Sequence, residues 1–558
     1  MSFSPLSSKM QKISKEIIKE IIKQNPSSFA EAEKIKNKFC EKFHLSTISN
    51  IKLLQAAQKE NLPENIRKIL QKRKVRTLSG VAVLTVLTKP FPCPGKCVFC
   101  PQEKTSSKGI TLLERDSKTK DKLKVPAKFK KPGAFTMPKS YFSNEPAASR
   151  ALLCNFDPFK QTITRLKSLK LTGHDTCKIE VIILGGTFSA LSRRYRTFFV
   201  KRIFQALNGD DPKRKTTLQI AQKENESATH RAIALVVETR PDFVDKAEIK
   251  YLRKLGCTKV ELGVQSLDDQ VLKLCQRGHG KKESIKAIKL LKDNGFKVGL
   301  HMMPGLPGSN AKKDLKNFKQ LFTDTAFRPD FLKIYPCTSV PFSELEKWEK
   351  KGKFTAITEQ ELFPLLLNLK QIIPRYVRIS RLIRDIPATS ITSGCKTTNL
   401  RQLLQNELKR KNLSCQCIRC REIKTEQFNA KKIKFSQLKF EASAGQEFFL
   451  SLNTENDKLI ALLRLRINAL KNKAVFKCLQ KAALIRELHT YGTVVPIGKK
   501  STNTSQHRGF GKMLLKKAEE IALKNNFKKI AVISGIGVKN FWRENGFQDD
   551  GYYLVKRI

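Results

Sequence analysis

Acidic residues are scarce in this chain. Its 558 residues include 50 Asp and Glu against 108 Lys and Arg, a formal charge of +58. So large an excess goes far beyond what solubility needs and calls for a polyanionic partner. Nucleic acid is the expected one; an anionic membrane surface, or a high-salt or AT-rich lifestyle, would also produce basic charge. Long apolar runs are missing as well: no stretch of 18 apolar residues occurs, which leaves no candidate membrane-spanning helix. The opening segment MSFSPLSSKMQKISKEIIKE lacks the apolar core of a signal peptide, and the 14 cysteines do not form a small secreted framework. No internal repeat is evident. The expected compartment is a reducing cytoplasm, where clustered cysteines read as metal ligands.

The stretch Phe91-Pro-Cys-Pro-Gly-Lys-Cys-Val-Phe-Cys-Pro101 sets Cys93, Cys97 and Cys100 at x3 and x2 spacing in a Gly/Pro-rich turn. Three thiolates can hold three irons of a [4Fe–4S] cube and leave the fourth open. Half of a zinc site is the alternative, although structural zinc usually draws on Cys-x-x-Cys pairs and four protein ligands.

At 63.5 kDa the chain exceeds one core, so two or three domains are expected. Residues 1–76 carry 17 Lys and Arg against 7 acidic residues, with Ile13, Ile17, Ile18, Ile21 and Ile22 at helical spacing. This predicts a basic helical module that packs on the next domain, touches phosphates, or does both. Ile66–Arg76 is its most basic part. Between Glu103 and Pro132 the Lys/Ser/Thr-rich sequence predicts a mobile loop.

Strands are expected at Gly80–Leu87, Lys178–Leu184, Ala232–Val237, Lys259–Val264, Lys297–His301 and Phe331–Tyr335, six βα units of a parallel, curved sheet over residues 77–385. Gly185-Gly186-Thr187, Glu238-Thr239-Arg240-Pro241, Gln265-Ser266, Met302–Gly308 and Pro336 fall at or just past strand C-terminal ends, the mouth of a β/α barrel. Residues 386–430 read as a linker holding Cys395, Cys415, Cys417 and Cys420; these four thiols could close a Zn²⁺ site that pins two domains together, or hold a second iron site, or stay free. Residues 431–558 predict a separate α+β domain. Within it Gln506-His507-Arg508-Gly509-Phe510-Gly511 opens a helix after a strand, and its backbone N–H groups and dipole end suit a pyrophosphate. Glu487 and His489 alternate on the preceding strand, as an acid/base pair or as a pocket-lining face.

The cysteine turn after a first strand and the glycine pair after a second resemble the radical S-adenosylmethionine superfamily. The C-terminal order of elements resembles the GNAT acyl-CoA-binding fold. Together they resemble the catalytic-subunit family of Elongator, the tRNA wobble-uridine acetyltransferases, in its stand-alone prokaryotic form. The resemblance runs along the chain through Ser140-Tyr141, Glu145-Pro146, Arg150-Ala151, Gly173-His174, Lys178, Gly185–Phe188 (GGTF), Glu238–Asp242 (ETRPD), Glu261–Ser266 (ELGVQS) and Arg277–His279 (RGH). It continues through His301–Pro307 (HMMPGLP), Arg384–Pro387 (RDIP), Asn399–Arg401 (NLR), Arg486–His489 (RELH) and Ile533–Val538 (ISGIGV).

The resemblance implies an α/β chain: a partial (β/α)6 radical-SAM barrel with a basic helical N-terminal module and a C-terminal α+β GNAT domain. Catalysis would fall to Cys93, Cys97 and Cys100, holding the cluster, and to Lys178. Gly185, Gly186, Glu238, Arg240 and Gln265 would line S-adenosylmethionine. Acetyl-CoA would meet Lys178, Glu487, Leu488, His489, Thr490, Gln506, Gly509, Phe510, Gly511 and Trp542. With an external electron donor, a 5′-deoxyadenosyl radical would take hydrogen from the acetyl methyl group, and the carbon radical would add to C5 of the wobble uridine in the tRNA anticodon loop. Two places depart from the family pattern. Phe541 and Trp542 stand where it has a tyrosine pair, and Pro-Gln-Glu follows Cys100. The competing expectations are a protein lysine N-acetyltransferase with a structural iron–sulfur cluster and a nucleic-acid-binding protein with degenerate enzyme sites.

Overall fold

The computed structural model describes residues 8–43, 48–57, 62–71, 77–103, 105–106, 109–110, 137–469, 474–492 and 509–558. Four helices, α1 (Ser8–Gln24), α2 (Phe29–Lys42), α3 (Asn50–Ala56) and α4 (Glu64–Leu70), form the N-terminal module. The isoleucine stripe makes its core: Ile13, Ile17, Ile18 and Ile21 are buried against Ala32, Cys40, Leu53 and Ile66. Ser28 caps α2 by accepting from the Glu31 N–H, while the Glu31 carboxylate accepts from the Ser27 N–H. The module meets the next domain where Gln71 Nε2 lies 2.7 Å from His174 Nδ1. Residues 72–76 of the expected basic stretch lie outside the described residues. So does most of the expected loop, of which Glu103 and a ribbon pairing Thr105–Ser106 with Gly109–Ile110 are described.

Seven parallel strands follow in sequential order: β1 (Ala82–Leu87), β2 (Lys178–Leu184), β3 (Arg231–Thr239), β4 (Lys259–Gln265), β5 (Lys297–Met302), β6 (Phe331–Ile334) and β7 (Arg378–Arg381). The six expected strands are all present; β7 adds a seventh. Apolar residues dominate β1 to β6; helices cover the outer face of the sheet while its inner face lines the barrel interior, and β4 is buried along nearly its whole length. The helix Arg193–Asn208 shows how the covering layer is bounded: Ser192 caps its start and Gly209, at φ +81°, closes its end. Because β1 and β7 are the two edges of the sheet, an open seam runs between them.

The C-terminal sheet is built from β8 (Lys434–Ala442), β9 (Gly445–Asn453), β10 (Leu459–Asn468), β11 (Ala483–Thr490), β12 (Lys529–Val532), β13 (Gln548–Asp550) and β14 (Tyr553–Arg557), in the order β8-β9-β10-β11-β12-β14-β13. Neighbours are antiparallel except β11 and β12, which run parallel and pair only over Ala483–Ile485 with Ile530–Val532. Beyond that point the two strands part. Helix α5 (Phe510–Lys524) packs Leu514, Leu515, Ala518 and Ala522 on the sheet.

A buried ionic layer joins the domains. Arg486 of β11 binds Asp330 just before β6 and Glu447 of β9, while Arg466 of β10 binds Asp293 at 2.5 Å and Glu447 at 3.0 Å. Gly535 presses so close to β3 that a β-carbon there would lie 1.9 Å from the Ile233 carbonyl oxygen, a contact only glycine permits. The segment after β7 stitches the same boundary: Ile418 N–H donates to Val377 O, Ile423 N–H donates to Leu459 O, and Arg378 pairs with Glu422. Among the described residues no helix is long and apolar enough to cross a membrane.

Candidate active site at the mouth and open seam of the barrel

A cavity of about 990 Å³ follows the C-terminal ends of the strands and continues down the seam. Cys93, Cys97, Cys100, Gly186, Glu238, Arg240 and Gln265 line its upper part, and Ser79, Val83, Arg378 and Ser380 its seam side. Gly185 faces away from it, against Thr88.

Backbone contacts hold the cysteine turn at the mouth. Val98 N–H donates to Cys275 O (3.2 Å), Leu345 N–H to Val98 O (2.9 Å) and the Lys139 ammonium to Gly95 O (2.7 Å). A β-carbon on Gly95 would lie 2.9 Å from Arg240 Nη1, 3.5 Å from the Cys97 sulfur and 3.8 Å from the Cys93 sulfur, so only glycine lets the turn wrap this tightly. Arg277 Nη1 donates to the Cys97 sulfur at 3.1 Å. The hydrogen bond with Cys100, then the charges of Arg277 and Arg240, bring the Cys97 thiol down to about 5; the same pairing and burial push Cys100 up. Three cavity-facing thiols among cations that offset thiolate charge are a donor set suited to an iron–sulfur cluster.

The neighbouring mouth residues fit a polar, charged ligand. Gln265 ends β4 at φ +73°, a conformation uncommon outside glycine, and its buried Oε1 has no partner; nor does the buried Thr239 Oγ1. Glu238 is held by Lys333 at 2.8 Å and by the Tyr141 hydroxyl at 3.2 Å. Arg240, by contrast, is committed to Asp242 at 2.7 and 2.9 Å.

The residues expected at acetyl-CoA gather at the opposite, N-terminal end of the strands, where the C-terminal domain docks. Lys178 is the first residue of β2, opposite Arg231, and burial brings its ammonium down to about 8. His489 Nε2 lies 2.7 Å from the Ser79 carbonyl oxygen, joining the C-terminal domain to a residue of the cavity wall. The pairing of β11 with β12 ends at Ile485, so Leu488, His489 and Thr490 lie on the part of β11 beyond it. Gly511 sits beside Leu488 and Phe541. Two side chains are placed otherwise than expected. Glu487 is no free carboxylate, being bound by Arg464 at 2.7 Å and held at about 2, burial opposing and Lys297 and Arg464 prevailing. Trp542 is buried in the core between Phe541 and Phe547, and Phe541 is the aromatic that meets Gly511. Gln506 lies outside the described residues.

Of the four linker cysteines, Cys415, Cys417 and Cys420 bring their sulfurs within 4.8 Å of one another. Cys395 does not join them; it lines the cavity and interacts with Glu359 and Thr397. A thiol after a loop follows the tertiary path of that loop, which the spacing does not encode. Sequence reasoning also assigned no role to Arg277, Lys139 or Lys333. The signal for Lys333 was present in the strand FLKI, where an ammonium stands inside an otherwise apolar run.

Residues 156–321 match the Radical SAM superfamily and residues 329–410 the Radical_SAM C-terminal domain. That fold implies a [4Fe–4S] cluster and S-adenosylmethionine. The chain is 42% identical over 521 residues to a tRNA uridine(34) acetyltransferase of Methanocaldococcus infernus, covering 91% of each. It is 33% identical to human Elongator complex protein 3, covering 97% of this chain and 96% of that one. A solved structure of the archaeal M. infernus Elp3 lacking residues 1–46 superimposes with a TM-score of 0.71 at 38% identity, covering 86% of this chain and all of that one. The chain therefore belongs to the family of the tRNA uridine(34) acetyltransferases and Elongator complex protein 3.

Proposed function

We propose that this chain is a tRNA uridine(34) acetyltransferase, which uses S-adenosylmethionine and a cluster on Cys93, Cys97 and Cys100 to join the acetyl group of acetyl-CoA to C5 of the wobble uridine. The observation that carries the reading is the continuity of one cavity from the cysteine turn to Ser79, the residue that His489 of the acyl-CoA-type domain touches. The relatives' names and the family membership support it.

Bound at the mouth, the cluster and S-adenosylmethionine supply one-electron chemistry that breaks an unactivated C–H bond. The chain's own residues place the reactants and exclude water. Arg277 orients Cys97, and Glu238, Thr239 and Gln265 offer the mouth polar groups for the cofactor's charged and hydroxyl groups. Lys178 offers an ammonium to acetyl-CoA, with backbone groups of Leu488–Thr490 in the gap between β11 and β12 and of Gly509–Gly511 at the start of α5. Eleven Lys and Arg against five Asp and Glu line the cavity, a balance that attracts the phosphates of an anticodon loop. The 17 Lys and Arg of residues 1–76, against 7 acidic residues, add to that attraction. Cys415, Cys417 and Cys420 supply three thiol ligands for a Zn²⁺ ion at the junction of the two domains, with a fourth ligand to complete it.

The test is anaerobic cluster reconstitution followed by incubation with S-adenosylmethionine, acetyl-CoA, a one-electron reductant and tRNA, with nucleosides read by mass spectrometry. A carboxymethyl-type uridine and 5′-deoxyadenosine are expected, and Cys97→Ala abolishes both while acetyl-CoA still binds. Acetylation of protein lysines with neither product formed would replace this reading with that of a lysine acetyltransferase.

A further inference from the structure

A barrel interior is ordinarily packed with branched apolar side chains. Here a line of alternating charge runs through it. Lys259 of β4 lies 4.0 Å from Glu180 of β2 and 2.9 Å from Glu261. Glu261 pairs in turn with Lys333 of β6, and Lys333 reaches Glu238 of β3 at 2.8 Å. His301 of β5 stands alongside, 3.1 Å from Glu261 and 3.9 Å from Glu238. Glu261 and Lys333 are buried, at 1% and 7% exposure. So many buried charges cost more desolvation than an apolar filling of the same volume, so stability alone does not account for them.

Strand register explains where Lys333 must go. Glu238 and Glu261 are direct partners on adjacent parallel strands, and His301 and Lys333 are partners on the next pair. Two carboxylates side by side repel unless a cation stands between them. Glu238, Glu261 and His301 bring their ligand atoms within 4.8 Å of one another, and the Lys333 ammonium stands among the two carboxylates where a cation would sit. Lys259 already serves Glu261, so the part of Lys333 that is not redundant is its hold on Glu238, which lines the cavity with the others and is the more exposed of the two carboxylates.

We propose that Lys333 is a positioning residue for the cationic cofactor: by bridging Glu238 to Glu261 it fixes the Glu238 carboxylate at the cavity wall, where it would meet the sulfonium charge of S-adenosylmethionine. This rests on the reading of the mouth as the S-adenosylmethionine site. A carboxylate has about four acceptor positions, of which Lys333 and the Tyr141 hydroxyl take two; the remainder serve the ligand. The other groups facing Glu238 are His301, Glu261, Tyr335 and Arg381. Without the ammonium, Glu261 keeps Lys259, but Glu238 faces it with no lysine ammonium between the two carboxylates and loses its hold at the wall.

The experiment is anaerobic equilibrium dialysis of S-adenosylmethionine with the cluster-reconstituted full chain at one pH, beside S-adenosylhomocysteine, whose thioether carries no charge. Lys333→Met should raise the S-adenosylmethionine Kd at least tenfold and leave S-adenosylhomocysteine little affected; Lys333→Arg should restore the wild-type Kd. A wild-type Kd in Lys333→Met, or an equal loss for both ligands, would overturn the assignment. Should Lys333→Met fail to fold, Lys333→Gln decides, since it removes the charge and keeps a hydrogen-bond donor: the same tenfold rise confined to S-adenosylmethionine is expected, and a wild-type Kd would overturn the assignment. Failure of wild type to bind S-adenosylmethionine would instead remove the reading of the mouth itself, and the assignment with it.

Discussion

Arg486 of the C-terminal sheet donates two hydrogen bonds to Asp330 of the barrel, at 2.6 and 2.8 Å, and both side chains are buried. Removing one partner strands the other's charge in a dry interface, at a cost of about 3–5 kcal/mol. Asp330→Ala should lower the calorimetric melting temperature and split one transition into two as the domains uncouple. Unchanged melting would show that the ionic layer does not join them.

Acid should loosen the same interface. Burial alone would raise the carboxyls of Asp330 and Glu487, but Arg486 and Lys292 hold Asp330 well below the usual range, and Lys297 and Arg464 hold Glu487 at about 2. A folded-state value below the unfolded one stabilises above the unfolded value and is lost as pH falls towards the folded one. Urea midpoints should therefore be level from pH 6 to 8 and fall between about 4.5 and 2, the interval set by Glu487.

Lys178 titrates in an accessible range because burial lowers it from 10.5 to about 8. If its ammonium holds acetyl-CoA, binding weakens as pH rises from 7 to 9, with a midpoint near that value. Lys178→Arg should flatten the profile, since a guanidinium keeps its proton. Calorimetric titration of acetyl-CoA at three pH values reads this directly, and a wild-type affinity that does not change with pH would count against the role of Lys178.

Binding of tRNA should depend steeply on salt. Six to ten neutralised phosphates would lose about 10³ to 10⁵ in affinity between 50 and 200 mM salt. Deleting residues 1–76 should reduce the slope of log K against log salt if that module contacts phosphates. An unchanged slope would confine RNA contact to the cavity and its rim.

Metal content separates the two cysteine sites. Cys417→Ser should abolish bound zinc, lower the melting temperature and leave the iron content and cluster absorbance intact; Cys97→Ala should do the reverse. Elemental analysis of both variants tests the assignment. Loss of iron in Cys417→Ser would show that the sites are not independent.

The sequence revealed those parts of the molecule whose physics is local. Runs such as KIEVIIL and KVELGV are apolar enough to announce buried strands, and the isoleucines of α1 repeat at a spacing only a helix satisfies. Arg378–Arg381 is four residues long with three polar ones, and β8 is exposed over most of its length, so neither carries a burial signal. The cysteine turn was legible because its three thiols are contiguous. Cys395 was misjoined to the hairpin cysteines, and Trp542 was expected at a ligand while it fills the core, because tertiary packing decides both. Lys333 acquires meaning only when four strands bring two carboxylates and an imidazole around it.

The seam between β1 and β7 has a consequence for the cavity. A sheet left unjoined along one side gives the cavity a second wall of side chains, Ser79, Val83, Arg378 and Ser380, that a closed ring of strands would not expose to it.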